Sequence, residues 1–242
     1  MKSCNYQGAL GKIEDSHFLI GMVSLDGILR LGYEIGLSCE SRVLDLCCGY
    51  GTVLKVWSEA FGIVGTGVDL CEEFINIGRA RLIQAGVQDR ISLICGDALE
   101  YKASPDYDVV IMSETFESIA HSLNIGKAFL KPGGVLVYHK LYSKVENPPK
   151  ELTDFDEEVL PLSGLNEIFR QNGLYMIAMA GDTDADWERY VLNWSGLRNL
   201  ERLRNNPADE TARSWAKRWH DIYFRVRRPF EGQAMFALVD GP

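Results

Sequence analysis

Polar groups recur where short apolar runs end: Asp45 within Val43-Leu44-Asp45-Leu46, Asp69 closing Ile63 to Leu70, Asp97 after Ile91 to Cys95, and Ser113-Glu114 after Tyr107 to Met112. Apolar runs of this kind suit strands covered on both faces. In an open α/β sheet the ligand lies beyond the C-terminal strand ends, near the point where strand order reverses, so these groups converge on one crevice. Gly49 and Gly51 follow the first run, where glycine lets the backbone approach a ligand or take a positive φ. The first amides of the helix after them point back at that ligand. Asp69 lies 20 residues beyond Gly49, the separation that sets a carboxylate beside a ribose seated on such a turn.

A carboxylate on a ribose suits an adenine nucleoside without telling NAD from S-adenosylmethionine. Further residues separate those ligands. A dinucleotide fingerprint needs a small residue at position 54, where this chain has Leu54, which argues against close helix packing on a pyrophosphate. No Lys-Ser or Lys-Thr pair follows the glycines, so a P-loop is excluded too. Asp45, just before the turn, repels a pyrophosphate but attracts an ammonium or sulfonium. The balance favours a cationic amino-acid nucleoside.

Proton-transfer groups are less clearly marked. His17, His121, His139 and His220 have no diagnostic spacing to a partner, and each reads as structural or solvated before it reads as catalytic. His17 and Glu114 are the candidates for substrate contact or proton removal. Late in the chain Trp187, Tyr190, Trp194, Trp215 and Trp219 fall at helical spacing, which usually means core packing. Trp187 and Tyr190, nearest the sixth strand, are the exceptions expected beside the substrate.

These residues need a frame, and strand and helix patterns alternate to give one. Leu25, Ile28, Leu29 and Ile35 mark a first helix, and Val53, Trp57, Ala60 and Phe61 mark the helix after the glycine turn. A helix carrying Phe116, Ile119, Leu123 and Leu130 ends at Lys131-Pro132-Gly133-Gly134, before a fifth strand from Val135 to Tyr142. Leu174 to Ala180 and Gln233 to Val239 read as the last strands. Two aromatic-rich helices lie between them, the second opening at Asn206-Pro207. The fold class is therefore α/β, with a doubly wound sheet and helices on both faces.

At 242 residues and 46% hydrophobic, the chain fits a single domain, 1-242, with an N-terminal helical arm at 1-40 and a helical cap at 182-230. The net charge of -9 disfavours a protein that wraps nucleic acid and suits a small-molecule partner. The stretch from Trp187 to Phe230 runs against that trend, with 10 basic and 5 acidic residues. The six cysteines contain no C-x-x-C pair, so neither zinc nor a disulfide framework is signalled, and a reducing cytoplasm fits best. No signal-peptide pattern or membrane-length apolar run occurs. The expectation is a soluble monomer or homodimer with no membrane partner and no metal.

The ordered set Asp45-Leu46-Cys47-Cys48-Gly49-Tyr50-Gly51, Gly67-Val68-Asp69-Leu70, Gly96-Asp97-Ala98, Tyr107-Asp108-Val109-Val110 and Leu130-Lys131-Pro132-Gly133-Gly134 resembles the class I S-adenosylmethionine-dependent methyltransferases. The tail, through Asp186-Trp187-Glu188-Arg189-Tyr190, Trp194 and Phe236-Ala237-Leu238, resembles the YjhP-type bacterial group. The resemblance implies seven strands, the last antiparallel beside the sixth, with the helical pair inserted between them. It implies that Gly49 and Gly51 approach the methionine moiety, that Asp69 binds the ribose and Asp97 the adenine amino group, and that Ser113 lies near the methionine end. Cys47, Leu70 and Ala98 complete the implied cofactor contacts, although the family often has glycine where Cys47 stands. The implied activity is transfer of a methyl group from S-adenosylmethionine to a small molecule by in-line displacement. The alternatives are a non-catalytic S-adenosylmethionine-binding regulator and, behind it, an NAD-dependent oxidoreductase. Arsenite methylation is disfavoured because no cysteine follows Cys95.

Overall fold

The computed structural model describes residues 17–113, 116–154 and 159–241. Glu114 and the first part of the N-terminal arm lie outside them. One sheet of seven strands forms the centre, in the order β3-β2-β1-β4-β5-β7-β6. Its strands are β1 (Arg42–Leu46), β2 (Val64–Asp69), β3 (Ile91–Cys95), β4 (Tyr107–Met112), β5 (Leu130–Ser143), β6 (Leu174–Gly181) and β7 (Glu231–Asp240). The pairs from β3 to β5 are parallel, and β7 runs antiparallel between β5 and β6. Strand order reverses between β1 and β4, where a ligand crevice forms at the strand ends.

Alternation along the strands builds two cores. Val43, Val109, Ile111 and Val137 face α1 (Leu25–Glu34), α2 (Thr52–Phe61) and α3 (Glu72–Ala85). Leu44, Leu46, Val110, Met112, Leu136 and Tyr138 face the other layer, with α4 (Ile119–Lys127) and α6 (Leu162–Gln171). A short α5 (Lys150–Thr153) lies between β5 and α6. Ser24 caps α1 by accepting from the Gly27 amide, satisfying one of its otherwise unpaired N–H groups.

The buried face of α2 differs from the one its periodicity predicts. Ala60 is exposed, while Leu54, Val56, Trp57 and Ser58 are buried. The helix is packed between the sheet and α1, so more of its circumference is covered. Trp57 Nε1 donates to the Ile28 carbonyl at 2.8 Å, and a Cβ at Gly32 would lie 2.6 Å from the Phe61 ring. Leu54 is accommodated from across the interface, because a Cβ at Gly65 of β2 would come within 2.9 Å of its Cδ2. The expected extension of α4 to Leu130 also fails: the helix ends at Lys127 and Leu130 already pairs with Tyr107.

Between β6 and β7 the chain forms a helical hairpin. Its first arm runs through α7 (Asp184–Glu188), a π-helical stretch Arg189–Gly196 and α8 (Leu197–Asn205). Its second runs through α9 (Glu210–Ile222), a π-helical turn Tyr223–Arg227 and α10 (Arg228–Phe230). The second arm begins at Glu210 rather than at Asn206-Pro207, because Asp209 supplies the cap, accepting from the Ala212 amide at 2.9 Å and from Arg202. At its base Trp187, Val191 and Tyr223 pack with Met22, beside a buried Arg227–Glu231 ion pair. Among the described residues no helix is long and apolar enough to cross a membrane, and no group of three or more His, Cys, Asp or Glu could hold a metal ion.

Candidate functional site

The turn after β1 is held to β2 by its backbone. The amides of Cys47 and Cys48 both donate to the Val68 carbonyl, at 2.8 and 3.1 Å. This geometry puts Cys47 at φ 65, in the left-handed region, with Gly49 at φ 55 and Gly51 at φ 68. A non-glycine residue there is strained. Asp69 closes the turn from the end of β2: Oδ2 accepts from the Gly49 amide at 2.7 Å and Oδ1 from the Cys71 amide at 2.9 Å. Gly78 lets α3 press on the turn, since a Cβ there would lie 2.5 Å from the Tyr50 carbonyl oxygen.

Beside the turn lies a cavity of ≈ 220 Å³. Asp45, Gly49 and Asp69 border it from β1 and β2, and Ser113, His139 and Met235 from β4, β5 and β7. Asp45 is 2% exposed, and its Oδ1 is buried with no hydrogen-bond partner among the described residues. Burial, reinforced by the negative charge of Asp69, holds its carboxyl well above the usual carboxylate range. Burial likewise pushes the Cys48 thiol up, leaving it un-ionised. At His139 burial favours the neutral ring and lowers the pKa to about 4, opposed by the Gln233 side chain.

Residues 17–23 form a strap along the cavity. Thr52 donates through Oγ1 to the Phe18 carbonyl at 2.9 Å. Arg189, from the helical hairpin, donates to the carbonyls of Leu19 at 3.5 Å and Gly21 at 2.8 Å. The Met22 amide donates to Gln233 Oε1 at 2.6 Å. The Phe18 ring stands edge-on to Tyr50 at 5.3 Å and lies 3.7 Å from the Arg81 guanidinium carbon. Tyr50 in turn accepts from Arg198 of α8 at 2.7 Å. The hairpin thus touches both the strap and the glycine turn.

Of the residues singled out from sequence, Asp45, Cys47, Gly49, Asp69 and Ser113 come together in the cavity wall. Gly51 sits just behind it as the N-cap of α2. Leu70 is 72% exposed beside Asp69, and Asp97 accepts from the Leu99 amide at 2.8 Å; these two and the buried Ala98 lie at the ends of β2 and β3, outside the wall. The substrate assignments fare differently. Trp187 is wholly buried and donates through Nε1 to Asp182, and Tyr190 packs against the same cluster. Their helical spacing places them in the hairpin's own core, not in the cavity. His17 is exposed and outside the wall. His139 and Met235, which the sequence does not mark, stand in it instead. A buried pocket acid with an unpaired oxygen, beside the glycine turn and Asp69, fits a cationic adenosyl amino acid.

Comparison with known proteins agrees with that geometry. Residues 43–134 match the family model described as Methyltransferase domain. The chain is 27% identical over 238 residues to the protein YjhP of Escherichia coli (strain K12), covering 93% of this chain and 95% of that one. The X-ray structure of YjhP superposes with a TM-score of 0.86 at 26% identity, covering 94% of this chain and 97% of that chain. A SAM-dependent methyltransferase from Thiobacillus denitrificans, solved in complex with S-adenosyl-L-homocysteine, gives a TM-score of 0.85 at 25% identity over 96% of this chain and 98% of that one. A ubiquinone/menaquinone biosynthesis C-methyltransferase of Ectopseudomonas mendocina (strain ymp) is 29% identical over 74% of this chain and 64% of its own length.

Proposed function

Taking as premise that the chain is an S-adenosylmethionine-dependent methyltransferase, we propose that it methylates a small molecule bound in the cavity between the glycine turn and His139. The observation that carries this reading is the buried Asp45 carboxyl, whose Oδ1 lacks a partner among the described residues and which stands beside a turn tied to Asp69. An ammonium or sulfonium meeting that oxygen removes the cost of an unsatisfied buried acceptor. Asp69 keeps acceptor capacity beyond its two backbone bonds and takes the ribose hydroxyls. Leu70, Asp97 and Ala98 flank the adenine, and Gly49 and Gly51 leave room for the methionine moiety. The cofactor supplies an activated methyl group on a cationic sulfur.

Methyl transfer by in-line displacement depends chiefly on alignment, which holding both reactants in one site provides. The strap and the hairpin, joined by Arg189, exclude water from that site. We assign residues 1–242 to a single domain with 182–230 as its cap. A small-molecule acceptor is supported by the relative named for quinone biosynthesis. The test is calorimetric titration with S-adenosylhomocysteine, followed by incubation of enzyme and S-adenosylmethionine with metabolite mixtures while S-adenosylhomocysteine formation is followed. Micromolar binding and acceptor-dependent product are expected. Tight NAD binding with no S-adenosylhomocysteine binding refutes the reading.

A further inference from the structure

Tyr50 lies between Gly49 and Gly51, yet its ring is 3% exposed and stands outside the cavity wall. Two other rings pack on it. Phe18 of the strap is edge-on at 5.3 Å, and Phe74 of α3 lies at 4.5 Å. The Arg81 guanidinium backs the Phe18 ring in turn. Phe18 and Phe74 do border the cavity, so a ligand that fills it bears on both of the rings that clamp Tyr50.

The hydroxyl of that clamped ring reaches the hairpin. Arg198 Nη2 donates to Tyr50 Oη at 2.7 Å, across 148 residues of sequence. Arg198 belongs to α8, which buries none of its residues and leaves Leu197 and Leu200 exposed. A helix usually docks through a buried apolar face; α8 has none, so what fixes it against the glycine turn is polar. Its connection to the base of the hairpin is a π-helical stretch, Arg189–Gly196, and the second arm returns to the same base through the π-helical turn Tyr223–Arg227. Such backbone is rare and gathers at functional sites. Both arms thus leave the buried Trp187, Val191 and Tyr223 cluster where the regular helix is interrupted, and the outer hairpin pivots there.

We propose that Arg198 is a positioning residue: acting through Tyr50, it docks the outer hairpin on the glycine turn when the nucleoside is bound, so that the cap closes on a loaded donor site. The nucleoside fixes Phe18 and Phe74, these rings hold Tyr50, and the Tyr50 hydroxyl accepts from the guanidinium. A charge-assisted hydrogen bond to a preorganised acceptor loses less freedom when it forms. The coupling is reciprocal: by whatever factor the nucleoside favours the docked hairpin, docking favours the nucleoside. Water is then shut out only once the methyl donor is in place. The proposal rests on the methyltransferase reading above.

The experiment follows amide hydrogen exchange of residues 197–222 by mass spectrometry, with and without saturating S-adenosylhomocysteine, and measures the Kd of that ligand for each protein. In the wild type the ligand should slow exchange there at least about fivefold. Tyr50→Phe, which removes one oxygen and keeps the stacked rings, and Arg198→Leu should each abolish the slowing and raise the Kd by the factor of protection lost. The double variant should bind no more weakly than either single one, because both remove the same bond. Arg198→Lys, which keeps a cationic donor, should recover part of the slowing. No slowing in the wild type, slowing that survives Arg198→Leu or Tyr50→Phe, losses that add in the double variant, or no recovery with Arg198→Lys overturns the proposal. If Tyr50→Phe does not fold, the Arg198 variants decide alone, since that residue is exposed on α8. A wild type that binds no S-adenosylhomocysteine refutes the methyltransferase reading instead.

Discussion

Replacing Asp45 with asparagine should move stability and affinity in opposite directions. The carboxyl is buried, and burial and Asp69 hold its pKa above that of the unfolded chain. Below the unfolded pKa, both states are protonated and the acid costs nothing. As pH rises past that value, the unfolded chain ionises first and native stability falls, levelling off only above the raised native pKa. Each unit of upward shift removes about 1.4 kcal/mol, or about 3–6 °C of Tm for a chain of this size. An asparagine side chain does not titrate, so the ligand-free Asp45→Asn protein should melt above wild type at pH 7 and converge with it near pH 4. Cofactor binding runs the other way. Losing a charge-assisted contact costs about 1.5–3 kcal/mol, or about 10–150-fold in Kd. Wild-type affinity should also rise with pH as Asp45 gives up its proton to meet the cation, a dependence absent from the variant. Scanning calorimetry of ligand-free protein from pH 4 to 8 and titration calorimetry with S-adenosylmethionine provide the two measurements. A variant that melts with or below wild type at every pH, or that binds with unchanged affinity, refutes the argument.

Asp69→Ala removes the acceptor of the Gly49 and Cys71 amides together with the proposed ribose contact, and should raise the Kd for S-adenosylhomocysteine by about 100-fold or more; an unchanged Kd rejects the ribose assignment. Cys47→Gly relieves a side chain at φ 65 and should gain about 1 kcal/mol, read as a higher midpoint in urea. A lower midpoint would mean that the thiol's contacts outweigh the strain. Arg189→Ala leaves the Gly21 and Leu19 carbonyls without their donor. Stability should fall by about 1–3 kcal/mol and S-adenosylhomocysteine should dissociate about tenfold faster in stopped flow, whereas an unaltered off-rate excludes the strap from controlling exchange.

The glycine-turn side of the cavity is readable in the sequence because its parts are local: one strand, one turn and one carboxylate follow in a fixed order, and Asp45, Gly49 and Asp69 fall together as that order requires. The opposite wall of the cavity is assembled by contacts that no local pattern announces. Met22 meets Gln233 across 211 residues and Arg189 meets Gly21 across 168, so neither the strap nor the setting of His139 can be inferred from spacing. Position misleads where periodicity does not: nearness to the sixth strand sets Trp187 and Tyr190 beside a ligand, whereas their helical spacing already reads as core, and they pack with Met22 and Tyr223. Leu54 is a subtler case. Its size argues correctly against a dinucleotide turn, but only the pairing of strands shows that Gly65 makes the space for it.

The position of β7 bears on how the chain reaches this state. It is late in sequence yet interior in the sheet, paired on both sides. Until it is in place, β5 and β6 both present open hydrogen-bonding edges, and Gln233 is not available to hold Met22. During synthesis, which delivers residues in order, a nascent chain can complete the parallel half of the sheet and its glycine turn well before β7 closes the rest of the cavity wall. That interval exposes two strand edges, the kind of surface that recruits other chains, and early binding of the nucleoside to the finished half would shorten the exposure by favouring the compact form.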